Sequence, residues 1–268
     1  MTDSARFEFG QNWLNFVKTI DETAVRAAIE SLSTNLGVTD LDGKRFLDVG
    51  CGSGLFSLAA SRLGADVVSF DYDPISVAAT AELRRVHSTD DGRWIVEQGS
   101  VLDQEYLGRC GQFDIVYAWG VLHHTGDMWA ALENVSTLVA PGGALFIAIY
   151  NDQGAKSRAW SAVKRAYVEG GSLRRWGLVT TVGLYFDTRR AITGWLKRRL
   201  QADSVDTERP RGMSAKHDLV DWVGGYPFEV ATPDEIFSFY RDRGFLLSEL
   251  RTAGGGLACN QFVFRRPD

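Results

Sequence analysis

Glycines Gly50, Gly52 and Gly54 stand at alternate positions directly after the apolar run that ends at Val49. A glycine-rich turn between a strand and a helix lets a ligand lie against bare backbone, often through its phosphates. The phosphate chemistry is missing here. A Walker loop places Lys-Ser/Thr after its last glycine, whereas Leu55-Phe56 follows Gly54. A dinucleotide fingerprint needs a third glycine where this chain has Leu55. What remains is a Gly-x-Gly-x-Gly loop with an acidic residue, Asp48, in the strand before it, a pattern suited to a ligand without phosphates. Asp71 follows Gly50 by 21 positions, at the end of the next apolar run. A carboxylate there can accept hydrogen bonds from both hydroxyls of an unphosphorylated ribose. In Gln98 to Asp103, Ser100 and Val101 are candidate readers of an adenine edge. Asp103 is either an acceptor for the adenine amino group or the cap of the following helix.

The groups able to move a proton are few. The chain has four histidines. His87 reads as surface. His123 and His124 follow the fourth strand, at the mouth of the expected ligand site, and are candidates for packing, substrate contact or general base. His217 opens the segment Lys216 to Val230, which also holds Asp218, Asp221, Trp222, Tyr226 and Glu229. A histidine beside a carboxylate can be tuned as a base, so His217 is a catalytic candidate, with Asp218 and Tyr226 as candidate substrate residues. The alternative for the same segment is a helix start and a loop-closing turn. Cys51 reads as a small buried filler of the glycine loop, since no basic neighbour is present to activate its thiol. The three cysteines form no CxxC pair, so neither a disulfide framework nor a metal site is expected.

These residues need elements to hold them. Residues 11–36 show an apolar stripe at helical spacing and are predicted as one helix that Gly37 ends. Strands are then predicted at Arg45–Gly50, Asp66–Asp71, Arg93–Gly99, Phe113–Gly120 and Ala144–Tyr150, with helices between them and a turn at Pro141-Gly142-Gly143. This rhythm implies a parallel sheet with helices on both faces. It breaks at 153–200, which reads as two or three basic helices, followed by a polar linker over 201–215. It resumes at Thr232, where Pro233 and Glu235 complete a capping-box signature, and closes with a helix and two strands. One domain is expected: an N-terminal helical lid (1–43), a cofactor-binding core (44–151), a helical insertion with a substrate segment (152–231), and a closing helix and strand pair (232–268). Phe9, Asn12 and Trp13 are candidate lid residues, and Trp13 a substrate contact.

Net charge is −5, so the surface as a whole is not that of a nucleic-acid binder. Residues 156–199 nevertheless carry eleven Lys and Arg against two acidic residues. Such a segment can neutralise an anionic acceptor, lie on an anionic membrane surface through its aromatic-basic stretch at Arg174–Phe186, or be a solvated helix face. The N-terminus has no apolar leader and no apolar run is long enough to span a bilayer, so a cytoplasmic location is expected.

Taken together, "LDVGCGSG", "VVSFDYDP", "QGSVLD", "FDIVYAWGVLHHT" and "LVAPGGALFIAIYN" resemble the class I S-adenosylmethionine-dependent methyltransferases, nearest the ubiquinone-biosynthesis-like small-molecule group. The resemblance spans about Lys44 to Asn151, with 232–266 as the closing elements. It implies an α/β Rossmann-like, doubly wound seven-stranded sheet whose last strand is antiparallel. It implies S-adenosyl-L-methionine as cofactor and S-adenosyl-L-homocysteine as product, held by Asp48, Gly50, Cys51, Gly52, Gly54, Asp71, Tyr72, Ser100, Val101 and Trp119. The sulfonium donor is intrinsically activated, so the protein mainly positions the acceptor and excludes water. A base helps a hydroxyl or protonated amine, and no metal is required. The Asn/Asp-Pro-Pro-Tyr motif of adenine- and glutamine-methylating enzymes is replaced by Ala118-Trp119-Gly120-Val121. The expected activity is methyl transfer to a small-molecule acceptor, with oxygen preferred. The alternatives are an RNA-base methyltransferase that uses the basic insertion, for which no accessory RNA-binding motif is visible, and a non-catalytic adenosyl-ligand binder. The oligomeric state is left open.

Overall fold

The computed structural model describes residues 7, 9–88, 92–199, 215–254, 256 and 258–268. Its sheet has seven strands: β1 (Arg45–Val49), β2 (Asp66–Asp71), β3 (Trp94–Gln98), β4 (Phe113–Trp119), β5 (Val139–Tyr150), β6 (Leu246–Arg251) and β7 (Cys259–Arg265). Their order across the sheet is β3-β2-β1-β4-β5-β7-β6. The pairs β3-β2, β2-β1, β1-β4 and β4-β5 are parallel, while β7 runs antiparallel to both its neighbours. The expected doubly wound sheet with an antiparallel last strand is therefore present.

Side-chain alternation along the strands feeds two cores, one on each face. On β1, Phe46 packs to one side and Leu47 to the other; Ile115 and Val116 do the same on β4, as do Phe146 and Leu145 on β5. One face is covered by α2 (Glu22–Leu36), α3 (Leu55–Arg62) and α4 (Pro74–His87). The other is covered by α5 (Gln104–Cys110), α6 (Met128–Thr137) and α10 (Pro233–Arg241). The chain winds outward from β1 to β3, then returns to place β4 against the other side of β1. The crevice beyond the carboxyl ends of β1 and β4 is thus the topological switch point, where open α/β sheets take ligands.

Two expectations need correcting. Residues 11–36 are not one helix: α1 (Gly10–Val17) ends first, and four residues separate it from α2. The Thr19 hydroxyl donates to the Phe16 carbonyl at 2.7 Å, and the Asp21 carboxylate accepts from the Ala24 amide at 2.8 Å. These local bonds satisfy one helix end and cap the next, offering the backbone an alternative to continuing. Pro141-Gly142-Gly143 does not precede β5 but lies inside it. Phe113 pairs with Val139 and Ile115 with Ala144, so the glycines form a wide bulge between two paired stretches.

The basic insertion forms two helices, α7 (Ala155–Val168) and α8 (Ser172–Arg199), and α9 (Ala215–Gly224) follows. The predicted linker lies outside the described residues apart from Ala215, the first residue of α9. At α10, the Thr232 amide and hydroxyl both donate to Glu235 Oε2 at 2.8 Å, and the Glu235 amide donates back to the Thr232 hydroxyl, completing the capping box.

Candidate active site

A cavity of about 220 Å³ opens at the switch point. Its floor is the loop after β1. The Gly50 and Cys51 amides both donate to the Phe70 carbonyl, at 2.8 and 3.1 Å, which folds the loop back over β2. Gly50 has φ +69°, and a Cβ there would overlap the methyl groups of Val121. Gly52 has φ +55°, and its Cβ would stand 3.0 Å from the Trp13 ring. Only glycine combines that backbone with those neighbours.

Three carboxylates face this floor. Asp48 is buried and accepts from the Ser57 hydroxyl, which is 2.7 Å from Ser69, whose hydroxyl in turn accepts from Trp94 Nε1 at 2.8 Å. Burial, with a smaller contribution from Asp71, pushes the Asp48 carboxyl up to about 7, against the pull of the Ser57 hydroxyl. Asp71 accepts from the Gly52 amide at 3.0 Å and from the Asp73 amide at 2.9 Å. Burial pushes its carboxyl up to about 6, opposed by those amides. Asp73 caps α4 through the Ile75 amide at 2.8 Å and also accepts from the Gly10 amide at 2.8 Å. No lysine or arginine lines the cavity among the described residues. Unbalanced carboxylates raised by burial favour a cationic ligand, whose charge would restore their ionised forms.

The predicted cofactor residues converge. Asp48, Gly50, Cys51, Gly52, Asp71, Tyr72, Ser100, Val101 and Trp119 all line the cavity, and Gly54 closes the loop through its amide to the Cys51 carbonyl at 2.8 Å. The Cys51 thiol is buried against Thr80, and burial pushes it well above its usual range, as a filler rather than a nucleophile requires. Asp103 takes its capping role instead of an adenine contact: its carboxylate accepts from the Tyr106 amide at 3.0 Å at the start of α5, and it does not line the cavity.

The two adjacent histidines separate. They sit on a short 3-10 turn, Leu122–His124. His124 lines the cavity, with its Nδ1 2.7 Å from the Pro227 carbonyl. A carbonyl only accepts, so Nδ1 carries a proton, and in the neutral form of the ring the lone pair is on Nε2. His123 is buried behind it against Tyr150, with ring centroids 4.2 Å apart, and does not reach the cavity. Its candidacy as a base fails because β5 and the 3-10 turn enclose it. His217 and Asp218 fall in the first turn of α9, and their side chains lie outside the described residues. Tyr226 is not in the cavity wall: its carbonyl accepts from the Phe7 amide at 2.9 Å and its ring lies 5.6 Å from the Arg165 guanidinium.

The roof is the N-terminal segment. Phe7, Phe9, Trp13 and Phe16 line the cavity, whereas Asn12 does not. The Pro227 carbonyl had no legible sequence signal, and Glu229, noted in its segment, had no legible partner there; its carboxylate accepts from the Gly126 and Met128 amides at 3.0 and 3.1 Å. Asp73 did carry a signal, since Asp-Pro is a helix-start pattern.

Comparison with known proteins bears on this site. A family model described as a methyltransferase domain matches residues 20–199. The ubiquinone biosynthesis O-methyltransferase of Xanthomonas euvesicatoria pv. vesicatoria (strain 85-10) is 35% identical over 123 residues, 46% of this chain and 48% of that protein. The chain thus spans about half the length of the curated relatives it matches. Among solved structures, magnesium protoporphyrin IX methyltransferase from Synechocystis PCC 6803, with bound S-adenosylhomocysteine, superposes with a TM-score of 0.52 at 16% identity, covering 91% of this chain and 82% of that one. The N-methyltransferase NodS from Bradyrhizobium japonicum WM9, in complex with the same ligand, gives 0.52 at 14% identity, covering 97% and 100%. At these identities the structures share the fold.

Proposed function

From the premise that the chain belongs to the methyltransferase domain family, we propose that it transfers the methyl group of S-adenosyl-L-methionine to a hydroxyl of an uncharged small-molecule acceptor. The carrying observation is His124, set in the cavity wall with Nδ1 donated to Pro227, so that its basic nitrogen is Nε2.

The residues present fit the donor. Asp71 would take the ribose hydroxyls on the lone pairs its two amide partners leave over, and Ser100 and Val101 would flank the adenine end. The acidic floor matches a sulfonium and an ammonium group. When bound, the donor supplies a methyl carbon open to in-line displacement by the acceptor oxygen, with the carbon–sulfur bond breaking as the carbon–oxygen bond forms. His124 takes the hydroxyl proton on Nε2, and Pro227 steadies the resulting imidazolium through Nδ1. Phe7, Phe9, Trp13 and Trp119 exclude water and offer ring faces to an apolar acceptor. The absence of cations from the described cavity wall argues against the anionic acceptor that the basic insertion suggested.

The test is methyl transfer from labelled S-adenosyl-L-methionine to fractionated extract, with mass spectrometry of the product. Asp71→Ala should weaken cofactor binding more than tenfold, and His124→Gln should lower turnover with binding nearly unchanged. Saturable cofactor binding without turnover on any acceptor would move the assignment to a non-catalytic adenosyl-ligand binder.

The outward face of α8 supports contact with an anionic membrane surface as a further part of the proposal. Leu173, Trp176 and Leu184 are exposed there, on a segment rich in arginine. No helix among the described residues is long and apolar enough to cross a membrane. Sedimentation with anionic but not neutral vesicles would support this contact, and equal behaviour with both would remove it.

A further inference from the structure

Lys164 is a lysine of the basic insertion that is fully buried. Its ammonium donates to the Trp222 carbonyl and lies 4.5 Å from the Trp222 ring centroid, 4.8 Å from that of Phe228 and 5.8 Å from that of Tyr150. Burying an ammonium is expensive unless it is bonded and its charge compensated, and the carbonyl and ring faces contribute to that compensation. The bonded carbonyl begins a segment whose later groups brace residues of the cavity wall and the elements behind them. The Tyr226 carbonyl holds Phe7 of the roof, and the Pro227 carbonyl holds His124 Nδ1. The Phe228 ring packs on Tyr150 at 5.0 Å, and the Glu229 amide donates to the His123 carbonyl at 3.0 Å. At the far end the Glu229 carboxylate anchors the segment to the loop before α6.

We infer that Lys164 is a positioning residue for His124: by pinning the start of segment 222–229, it keeps the Pro227 carbonyl on Nδ1 and so holds the imidazole in the tautomer that is basic at Nε2. The insertion then serves the reaction centre through a single buried cation rather than through its surface arginines. This inference rests on the proposed role of His124, and its test separates the two.

The protein is labelled with ¹⁵N-histidine, His124 is assigned by its loss in His124→Gln, and its tautomer is read from long-range ¹H–¹⁵N spectra of the full chain. Wild type is expected to show His124 protonated at Nδ1 only. Lys164→Met, which keeps length and removes the charge, is expected to show both tautomers, with the Nδ1–H form no longer exclusive and cofactor affinity changed less than twofold. Lys164→Gln, which restores a donor towards Trp222, is expected to recover the wild-type pattern at least in part. Trp222→Leu keeps the carbonyl but strips a ring from the ammonium; it should show the same mixing at smaller amplitude, and it carries the test should Lys164→Met not fold. A wild-type pattern in folded Lys164→Met, or in Trp222→Leu where it stands in, overturns the inference and leaves the reading of His124 intact. An Nε2–H ring in wild type overturns both.

Discussion

Replacing Asp48 by Asn should change how stability depends on pH. In the fold this carboxyl is lifted from 3.8 to about 7, chiefly by burial. A carboxyl that binds its proton more tightly folded than unfolded adds stability while protonated and loses it as pH rises towards the folded value. Between about pH 5.5 and about pH 8 the loss from this one group is about 1.5 pH units, or about 2 kcal/mol at ~1.4 kcal/mol per unit. Asn keeps the shape and can still accept from Ser57 while carrying no charge. Urea unfolding of the ligand-free protein at the two pH values should show wild type losing about 2 kcal/mol more than Asp48→Asn on going to the higher pH. Saturating S-adenosyl-L-methionine should shrink that difference, because its cationic groups favour the ionised carboxylate. For the same reason cofactor affinity should tighten as pH rises through about 6 to 7, the range set by Asp71 and Asp48. Equal pH slopes for wild type and variant would refute the claim that Asp48 is ionised at a cost, and with it the argument that the floor selects a cation.

Three further outcomes follow from contacts in the same region. Gly50→Ala should cost about 1–2 kcal/mol for its left-handed backbone and about 1–3 kcal/mol for overlap with Val121; in a double-mutant cycle Val121→Ala should recover only the second part, and strict additivity would exclude the clash. Asp103→Ala should cost about 1 kcal/mol in urea unfolding as a lost helix cap, with cofactor affinity by calorimetry changed less than twofold. Trp13→Ala should weaken cofactor binding on the order of tenfold, about 1.4 kcal/mol, chiefly by speeding dissociation in stopped-flow fluorescence.

The parts of this molecule that were legible in its sequence are those governed by local rules. Glycines at alternating positions after an apolar run, an acid at the end of the next strand, and Thr232 with Glu235 three residues on each express chemistry contained within a few residues. Asp103 shows the limit of such rules, because a carboxylate before a helix serves equally as cap or ligand group, and only the distance to the Tyr106 amide decides. The pairing of His124 with Pro227 spans 103 positions and uses a backbone carbonyl, which no residue type announces. The same holds for Trp13 resting on Gly52. The single helix expected over 11–36 failed because its apolar stripe continues through the break at Asp21, so periodicity outvoted the cap. The Pro-Gly-Gly stretch reads as a turn, yet pairing on both sides draws it into β5 as a bulge.

The roof is tied down at two places, by the Gly10 amide on Asp73 and the Phe7 amide on Tyr226. A roof held in this way would couple entry and exit to breaking both ties and lifting Trp13 off the glycine loop. Such an arrangement lengthens the residence time of whatever lies beneath it. If departure of the demethylated by-product is the slow event, rapid-quench experiments will show a burst of one methyl group per protein followed by a slower steady state. The length of that pause would then be set by the N-terminal segment rather than by the groups that react.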